Sequence, residues 1–418
     1  MGDSVYGANT GDHNSTDTPG PITGLLSRIV EWGGAKLLGT PQNGALSVHF
    51  PNGRSRTLGD PRSGVHAELI FKNFRVLPRS MRRGTVGFAA SYIKGDIESP
   101  DLTALFLFFL RNLENFSNPA SALFHRATKD LKFHLKNANS RAGSKRNIAE
   151  HYDLGNDFYA QWLDSSMTYS SAVFEHETLS LEQAQMKKYH QIAQMAGVKP
   201  GNSVLEIGCG WGGLAEVLAR DYDASVYGIT LSGEQLRYAR NRMEKAGLDK
   251  KANLVFEDYR DTGGEFDHVC SIEMIEAVGE EHWPRYFSTL YDRLKPGGTA
   301  AVQAITIDEA HFDSYRAGPD FIQRYIFPGG MLMTKSAMYE QGEKAGLVLE
   351  NTKNFGHSYA KTLALWRKKF LDRWPAIAPL GYDEAFKRKW LYYLSYCEAG
   401  FSEDFIDVGI YQYRRPKS

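Results

Sequence analysis

The sequence predicts the α/β class, with a doubly wound and largely parallel sheet preceded by a smaller, mostly helical N-terminal domain. Two observations carry this. From Ser203 onward, short apolar runs of strand length alternate with runs of helix length, the rhythm of parallel strands joined by crossover helices. The first apolar run, Val204–Ile207, enters Gly208-Cys209-Gly210-Trp211-Gly212-Gly213 and then a helical Leu214–Ala219. A strand ending in glycines lets a ligand touch backbone with no Cβ in the way. The helix behind it offers unpaired N–H groups and a partial positive charge. The arrangement is Rossmann-like.

Taken in order, residues 1–21 are rich in Gly, Ser, Thr, Asp and Asn, lack the basic-then-apolar layout of a signal peptide, and read as a disordered tail. Residues 22–127 form the N-terminal domain. It has a short helix over Val30–Leu38, an alternating strand over Ala45–Phe50, and then helical stretches. Within it, Lys72–Arg83 interleaves basic and apolar residues, either as a solvated face or as a lipid contact, and Gly87–Asp96 reads as a small helix entering a turn. Residues 128–149 are a basic linker in which Lys129, Lys132 and Lys136 share a helix face. Such a face docks on an anionic leaflet at roughly 1 kcal/mol per basic residue; the alternative is a flexible soluble linker. Residues 150–418 make the larger domain. Leu181–Ala196 is an amphipathic helix, and the strands are Val204–Ile207, Ser225–Ile229, Asn253–Phe256, Phe266–Ile272 and Thr299–Ile307. Residues 308–344 are a helical insertion, and Asp407–Tyr413 is a final edge strand.

Composition narrows the partners. Lys and Arg total 49 against 49 Asp and Glu, which removes long-range steering toward nucleic acid, so no nucleic-acid partner is expected. Cys209, Cys270 and Cys397 stand far apart and read as reduced thiols of a cytosolic protein, with no metal-ligand pattern. The longest apolar run, Ala104–Leu110, is too short to cross a bilayer. A soluble or peripheral protein is expected.

The Gly-rich turn has the spacing G-x-G-x-G-G, not the dinucleotide spacing G-x-G-x-x-G, and the second strand ends at Thr230-Leu231-Ser232 with no ribose-binding acid. Glu206-Ile-Gly-Cys-Gly210 instead resembles motif I of class I S-adenosylmethionine (SAM) methyltransferases. Further segments extend the resemblance. They are His151-Tyr-Asp-Leu-Gly-Asn-Asp-Phe-Tyr159, Tyr169-Ser170, Thr230-Leu-Ser232, Asp258-Tyr-Arg-Asp261, Tyr325-Ile-Phe-Pro-Gly-Gly330 and Asn354-Phe-Gly-His-Ser-Tyr359. In this order they resemble the cyclopropane-fatty-acid-phospholipid synthase family, which includes mycolic acid cyclopropane synthases and fatty-acid methyltransferases. The likeness covers roughly Gly87 to Tyr413.

The resemblance implies SAM as cofactor. Gly208, Gly210 and Gly212 allow its close approach, with Glu206 at the strand end and Tyr169 and Ser170 closing over its methionine end. Thr230, Ser232 and Gln235 fall where ribose hydroxyls sit, Asp258 where an acid bonds the adenine amino group, and Tyr259 where a ring stacks on it. The implied acceptor is a cis double bond in a phospholipid acyl chain. An alkene is a weak nucleophile, so alignment, worth about 7–11 kcal/mol, and cation stabilisation by aromatic faces, about 0.5–2 kcal/mol each, must carry catalysis. Tyr325, Phe327 and Tyr359 are the aromatic candidates.

A base then removes a proton. In the cyclopropane synthases this is a bicarbonate held by Cys, Glu, His, an Ile backbone and Tyr. Here Glu276, Ile305 and Tyr359 match that cage, while Ser171 stands for the Cys and Gln303 for the His. Bicarbonate binding, and the choice between a cyclopropane and a methylated unsaturated product, stay open at this point. So do two competing readings, a methyltransferase for a soluble small molecule and a lipid-binding relative that has lost turnover. The family implies a peripheral position on the cytoplasmic face of the membrane and a homodimer, with a separate redox partner where a methylene product is reduced.

Overall fold

The structure, a computed structural model, describes residues 41–113, 143 and 154–417. The expected tail, the helix over Val30–Leu38 and all of the basic linker but residue 143 lie outside the described residues.

The N-terminal unit is a four-stranded sheet in the order β2-β1-β3-β4, made of β1 (Ala45–His49), β2 (Ser55–Gly59), β3 (His66–Phe71) and β4 (Ile97–Glu98). Helices α1 (Val76–Ile93) and α2 (Leu102–Arg111) accompany it. Gly84, at φ 56° and ψ −137°, breaks α1, so the small helix expected over Gly87–Asp96 is the second half of a longer one. The basic stretch that leads into α1 is partly engaged in ion pairs. Lys72 pairs with Glu98 at 2.8 Å, and Arg79 bonds Ser91 at 2.9 Å and also binds Asp96. Arg75, Arg82 and Arg83 are exposed.

The larger domain holds seven strands in the order β10-β11-β9-β8-β5-β6-β7. They are β5 (Ser203–Ile207), β6 (Ser225–Thr230), β7 (Ala252–Phe256), β8 (Phe266–Ile272), β9 (Leu294–Ile307), β10 (Val348–Asn354) and β11 (Ile406–Arg414). Strands β5 to β9 pair in parallel, and β11 runs antiparallel to both β9 and β10. The C-terminal strand is therefore not an edge. It is inserted between β9 and β10, with Val408 and Ile410 fully buried, and β10 is the edge.

Helices α3 (Asn156–Trp162), α4 (Leu181–Ala196), α5 (Gly213–Asp221), α6 (Gly233–Lys245) and α7 (Trp283–Arg293) surround the sheet. Ser180 and Gln183 cap the start of α4 reciprocally, and Gly197, at φ 78°, ends it in the left-handed region. Residues 308–344 supply α8 (Glu309–Arg316), α9 (Phe321–Tyr325) and α10 (Lys335–Lys344), and α11 (Gly356–Ile377) and α12 (Glu384–Ser402) follow.

The two units share a core. Phe106 of α2 packs edge-on against Tyr392 of α12, ring centroids 4.8 Å apart. The Thr103 hydroxyl donates to Glu398 at 3.1 Å, and Arg388 reaches Glu98 at 2.9 Å. No helix among the described residues is long and apolar enough to cross a membrane.

Candidate active site

The loop after β5 takes left-handed backbone at Gly208 (φ 84°), Gly210 (φ 51°) and Gly212 (φ 81°). A Cβ on Gly212 would lie 3.1 Å from the Ala239 Cβ of α6, so this glycine serves both backbone and packing. The loop is pinned from the side. Trp211 donates its indole N–H to Asn156 Oδ1 at 2.7 Å, and Asn156 Nδ2 reaches the Glu234 carbonyl of α6 at 3.4 Å. Phe158 and Tyr159 of the same sequence motif, and Trp162 just beyond it, are buried, and the Tyr159 ring lies 5.2 Å from that of Trp211.

Glu206 is buried, and its Oε2 has no hydrogen-bond partner among the described residues. Burial pushes its pKa up to about 8, against Arg242 and Lys188. At the next strand end, the Ser232 N–H donates to Thr230 Oγ1 at 3.2 Å, the Thr230 hydroxyl to Gln235 Oε1 at 3.3 Å, and the Gln235 N–H to Ser232 Oγ at 3.3 Å. Thr230, Ser232 and Gln235 thus form one corner in which Ser232 caps α6. Beyond β7, Asp258 accepts a two-pronged contact from the Arg260 side chain, at 2.8 and 2.6 Å, and the Arg260 N–H at 3.0 Å. Tyr259 is half-buried and edge-on to Tyr286 at 5.7 Å. A buried acid with one oxygen unpartnered among the described residues, beside a backbone cradle, suits the ammonium and sulfonium charges of SAM, whose approach would favour its ionised form. Glu206 and Gly208–Gly212 would hold its methionine part, and Thr230, Gln235, Asp258 and Tyr259 its nucleoside.

Residues 168–173 form a strap tied at successive positions. Thr168 Oγ1 lies 2.7 Å from the Tyr189 hydroxyl, and the Tyr169 hydroxyl donates to that of Tyr393 at 3.0 Å. Gln185 Nε2 donates to the Ser170 carbonyl at 2.9 Å and Lys188 Nζ to Ser170 Oγ at 2.6 Å. The Ala172 N–H donates to Thr362 Oγ1 at 3.1 Å.

The anion cage is where the structure departs most from expectation. Ser171, Gln303, Tyr359, Glu276 and Ile305 do converge, but a carboxylate of the chain itself occupies the centre. Glu273 Oε1 accepts from the Ser171 N–H at 2.9 Å and Gln303 Nε2 at 2.7 Å, and its Oε2 accepts from the Tyr359 hydroxyl at 2.7 Å. The Ser171 hydroxyl, expected to face the anion, turns away to the Ala172 carbonyl at 2.9 Å. With three of the cage's donors already engaged by Glu273, the residues present do not fit a bound bicarbonate.

Glu276 sits beside this centre, its Oε1 accepting from the Ile305 N–H at 2.6 Å and its Oε2 without a partner among the described residues. Glu273 has φ 48°, a left-handed backbone that a non-glycine residue adopts at a cost and often at functional sites. The sequence reading passed over Glu273. The available signal was its place just past the carboxyl end of β8, where α/β sheets bind ligands.

The cage opens on a cavity of about 180 Å³ walled by Tyr169, Phe327, Tyr359, Tyr393 and Phe401, with Glu273, Glu276 and Ile305 also lining it. Residues 308–344 supply a further wall through Tyr315, Ile322, Gln323 and Met331. Of the aromatic candidates, Phe327 and Tyr359 line the cavity. Tyr325 does not, and packs on Phe321 with centroids 5.5 Å apart. Burial, then the charge of Glu273, pushes Glu276 up to about 8, so it carries its proton at neutral pH. Burial also raises Glu273, but its hydrogen-bond donors and the Lys188 charge act the other way.

The fold and this site define a class: a SAM-dependent methyltransferase of the Rossmann-like kind. A family model for mycolic acid cyclopropane synthetase matches residues 139–411, and the chain belongs to this family. A tuberculostearic acid methyltransferase, UfaA1 of Mycobacterium tuberculosis, is 37% identical over 87% of this chain and 86% of its own length. A cyclopropane-fatty-acyl-phospholipid synthase of Escherichia coli is 37% identical over 80% of this chain and 84% of its own. Among solved structures, the mycolic acid cyclopropane synthase CmaA1 with SAH and CTAB bound is similar with TM-score 0.61 and 28% identity, covering 65% of this chain and 98% of that one.

Proposed function

We propose that this protein transfers a methyl group from SAM to a cis double bond in an unsaturated acyl chain of a membrane phospholipid, and that Glu273 takes the proton released afterwards. The carrying observation is the Glu273 carboxylate at the centre of the cage, 2.7 to 2.9 Å from three donors. SAM supplies an electrophilic methyl group. The alkene π pair forms the new C–C bond and leaves a cation on the acyl chain. Tyr169, Phe327, Tyr359, Tyr393 and Phe401 offer that cation aromatic surroundings and exclude water. A C–H bond then breaks, its electron pair stays in the chain, and the proton goes to Glu273. Glu276, protonated at neutral pH, adds no second negative charge beside the base.

The product is a methylated, still unsaturated chain. Two things support it over ring closure. The cage implied for the ring-forming relatives holds a free anion, whereas here a tethered carboxylate takes that place. A relative matched over 87% of the chain is also a methyltransferase by name. Docking on the inner membrane face is supported by exposed Arg75, at the N-cap of α1, and exposed Arg82 and Arg83 within it.

The test uses purified protein with methyl-labelled SAM and vesicles containing a cis-monounsaturated phospholipid, beside a panel of soluble acceptors. Label in vesicle acyl chains is expected. Label confined to soluble acceptors would refute the lipid assignment.

A further inference from the structure

Lys188 occupies an unusual position: it lies on α4, is fully buried, and donates to Ser170 Oγ at 2.6 Å. One turn earlier on α4, fully buried Gln185 holds the carbonyl of the same serine at 2.9 Å. Two inward-facing side chains at i and i+3 therefore grip Ser170 at both its side chain and its backbone. The next residue is Ser171, whose N–H bonds Glu273 at 2.9 Å, and the one before is Tyr169, in the cavity wall.

Burying an ammonium costs several kcal/mol unless opposite charge compensates it. Here burial pushes the Lys188 pKa down to about 7, and the carboxyl groups of Glu273, Asp164 and Glu206 offset only part of that cost. These come from the end of β8, the turn after α3, and β5. Arg242 of α6 also acts on Glu206, and the Tyr189 ring of α4 lies 4.4 Å beneath the ammonium. On balance burial still raises the pKa of Glu273. A residue needed only for bulk would not require this arrangement.

We propose that Lys188 is a positioning residue for methyl transfer: together with Gln185 it fixes the SAM-facing strap through Ser170, and so sets where the Ser171 N–H meets Glu273. The proposal does not depend on the reading of Glu273 as the base, because it is read on SAH binding with no acyl substrate present.

The test is a double-mutant cycle of K188M, S170A and the double variant, with SAH affinity measured by calorimetry. Each single change removes the same charge-assisted hydrogen bond and should weaken SAH roughly tenfold; the double variant should also be weakened roughly tenfold, not hundredfold. A multiplicative loss, or wild-type affinity in S170A, overturns the proposal. If circular dichroism shows K188M unfolded, K188Q replaces it under the same criteria, and the S170A criterion stands alone in any case.

Discussion

Replacing Glu273 by glutamine tests the cage with the smallest change in shape. Glu273 Oε1 serves two donors, Ser171 N–H and Gln303 Nε2, and Oε2 serves the Tyr359 hydroxyl. An amide can keep its oxygen toward the first two, and its NH₂ can donate to Tyr359, whose hydroxyl also accepts. The cage then stays filled, Ser171 stays in place, and SAH affinity should remain within about threefold of wild type. What is lost is the ability to take a proton. General-base catalysis contributes about 10²–10⁴-fold, so kcat should fall by that factor, about 2.7–5.4 kcal/mol of barrier. The assay is single-turnover transfer of labelled methyl to vesicle lipid, beside calorimetric SAH titration. A kcat within tenfold of wild type, with SAH binding intact, would refute Glu273 as the base.

Three further outcomes are expected. Adding bicarbonate to carefully degassed assays should leave the rate within about twofold, because the donors that would hold it are bonded to Glu273; a strong bicarbonate requirement would contradict the cage as described. G212A places a Cβ 3.1 Å from Ala239 at φ 81°, so it should cost about 1–2 kcal/mol in thermal or urea unfolding and weaken SAH binding. Burial raises Glu276 to about 8 in the folded state against an ordinary 4.5, so the folded form holds this proton more tightly. Its contribution to stability is therefore complete below about pH 4.5 and is lost as pH rises toward 8, at up to about 1.4 kcal/mol per pH unit. E276Q should flatten that part of the stability profile measured by urea unfolding between pH 5 and 8, while Glu206, also near 8, keeps its own share.

Much of the fold could be read from the chain because parallel strands buried on both faces are written as compact apolar runs. Val204–Ile207, Ser225–Thr230 and Phe266–Ile272 appear where those runs stand. Strand β10 escaped notice for the opposite reason. Its sequence, Val-Leu-Glu-Asn-Thr-Lys-Asn, lies mostly exposed at the sheet edge and carries no hydrophobic pattern. Strand β11 shows an alternation that suggests an edge, but its neighbours on both sides come from segments about 60 and 100 residues earlier, and local pattern does not encode that pairing.

The site divides in the same way. The glycine loop and the corner after β6 are local and were legible. The cage is assembled from residues 171, 273, 276, 303, 305 and 359, on different elements. Sequence could name most of its members but not show that Glu273 takes the anion's place, or that the Ser171 hydroxyl turns away. The clamp of Gln185 and Lys188 on Ser170 was illegible because Lys188 in a helical repeat ordinarily reads as a solvated position.

The most direct measurement is mass spectrometry of lipids from a host lacking its own cyclopropane synthase, expressing this chain and fed methyl-labelled methionine. Acyl chains would be derivatised to locate unsaturation. The predicted result is a labelled gain of one carbon with a double bond retained. The same gain with the double bond lost to a ring would contradict the product assigned here, and no label in any acyl chain, from protein that binds SAH, would contradict the lipid methyltransferase itself.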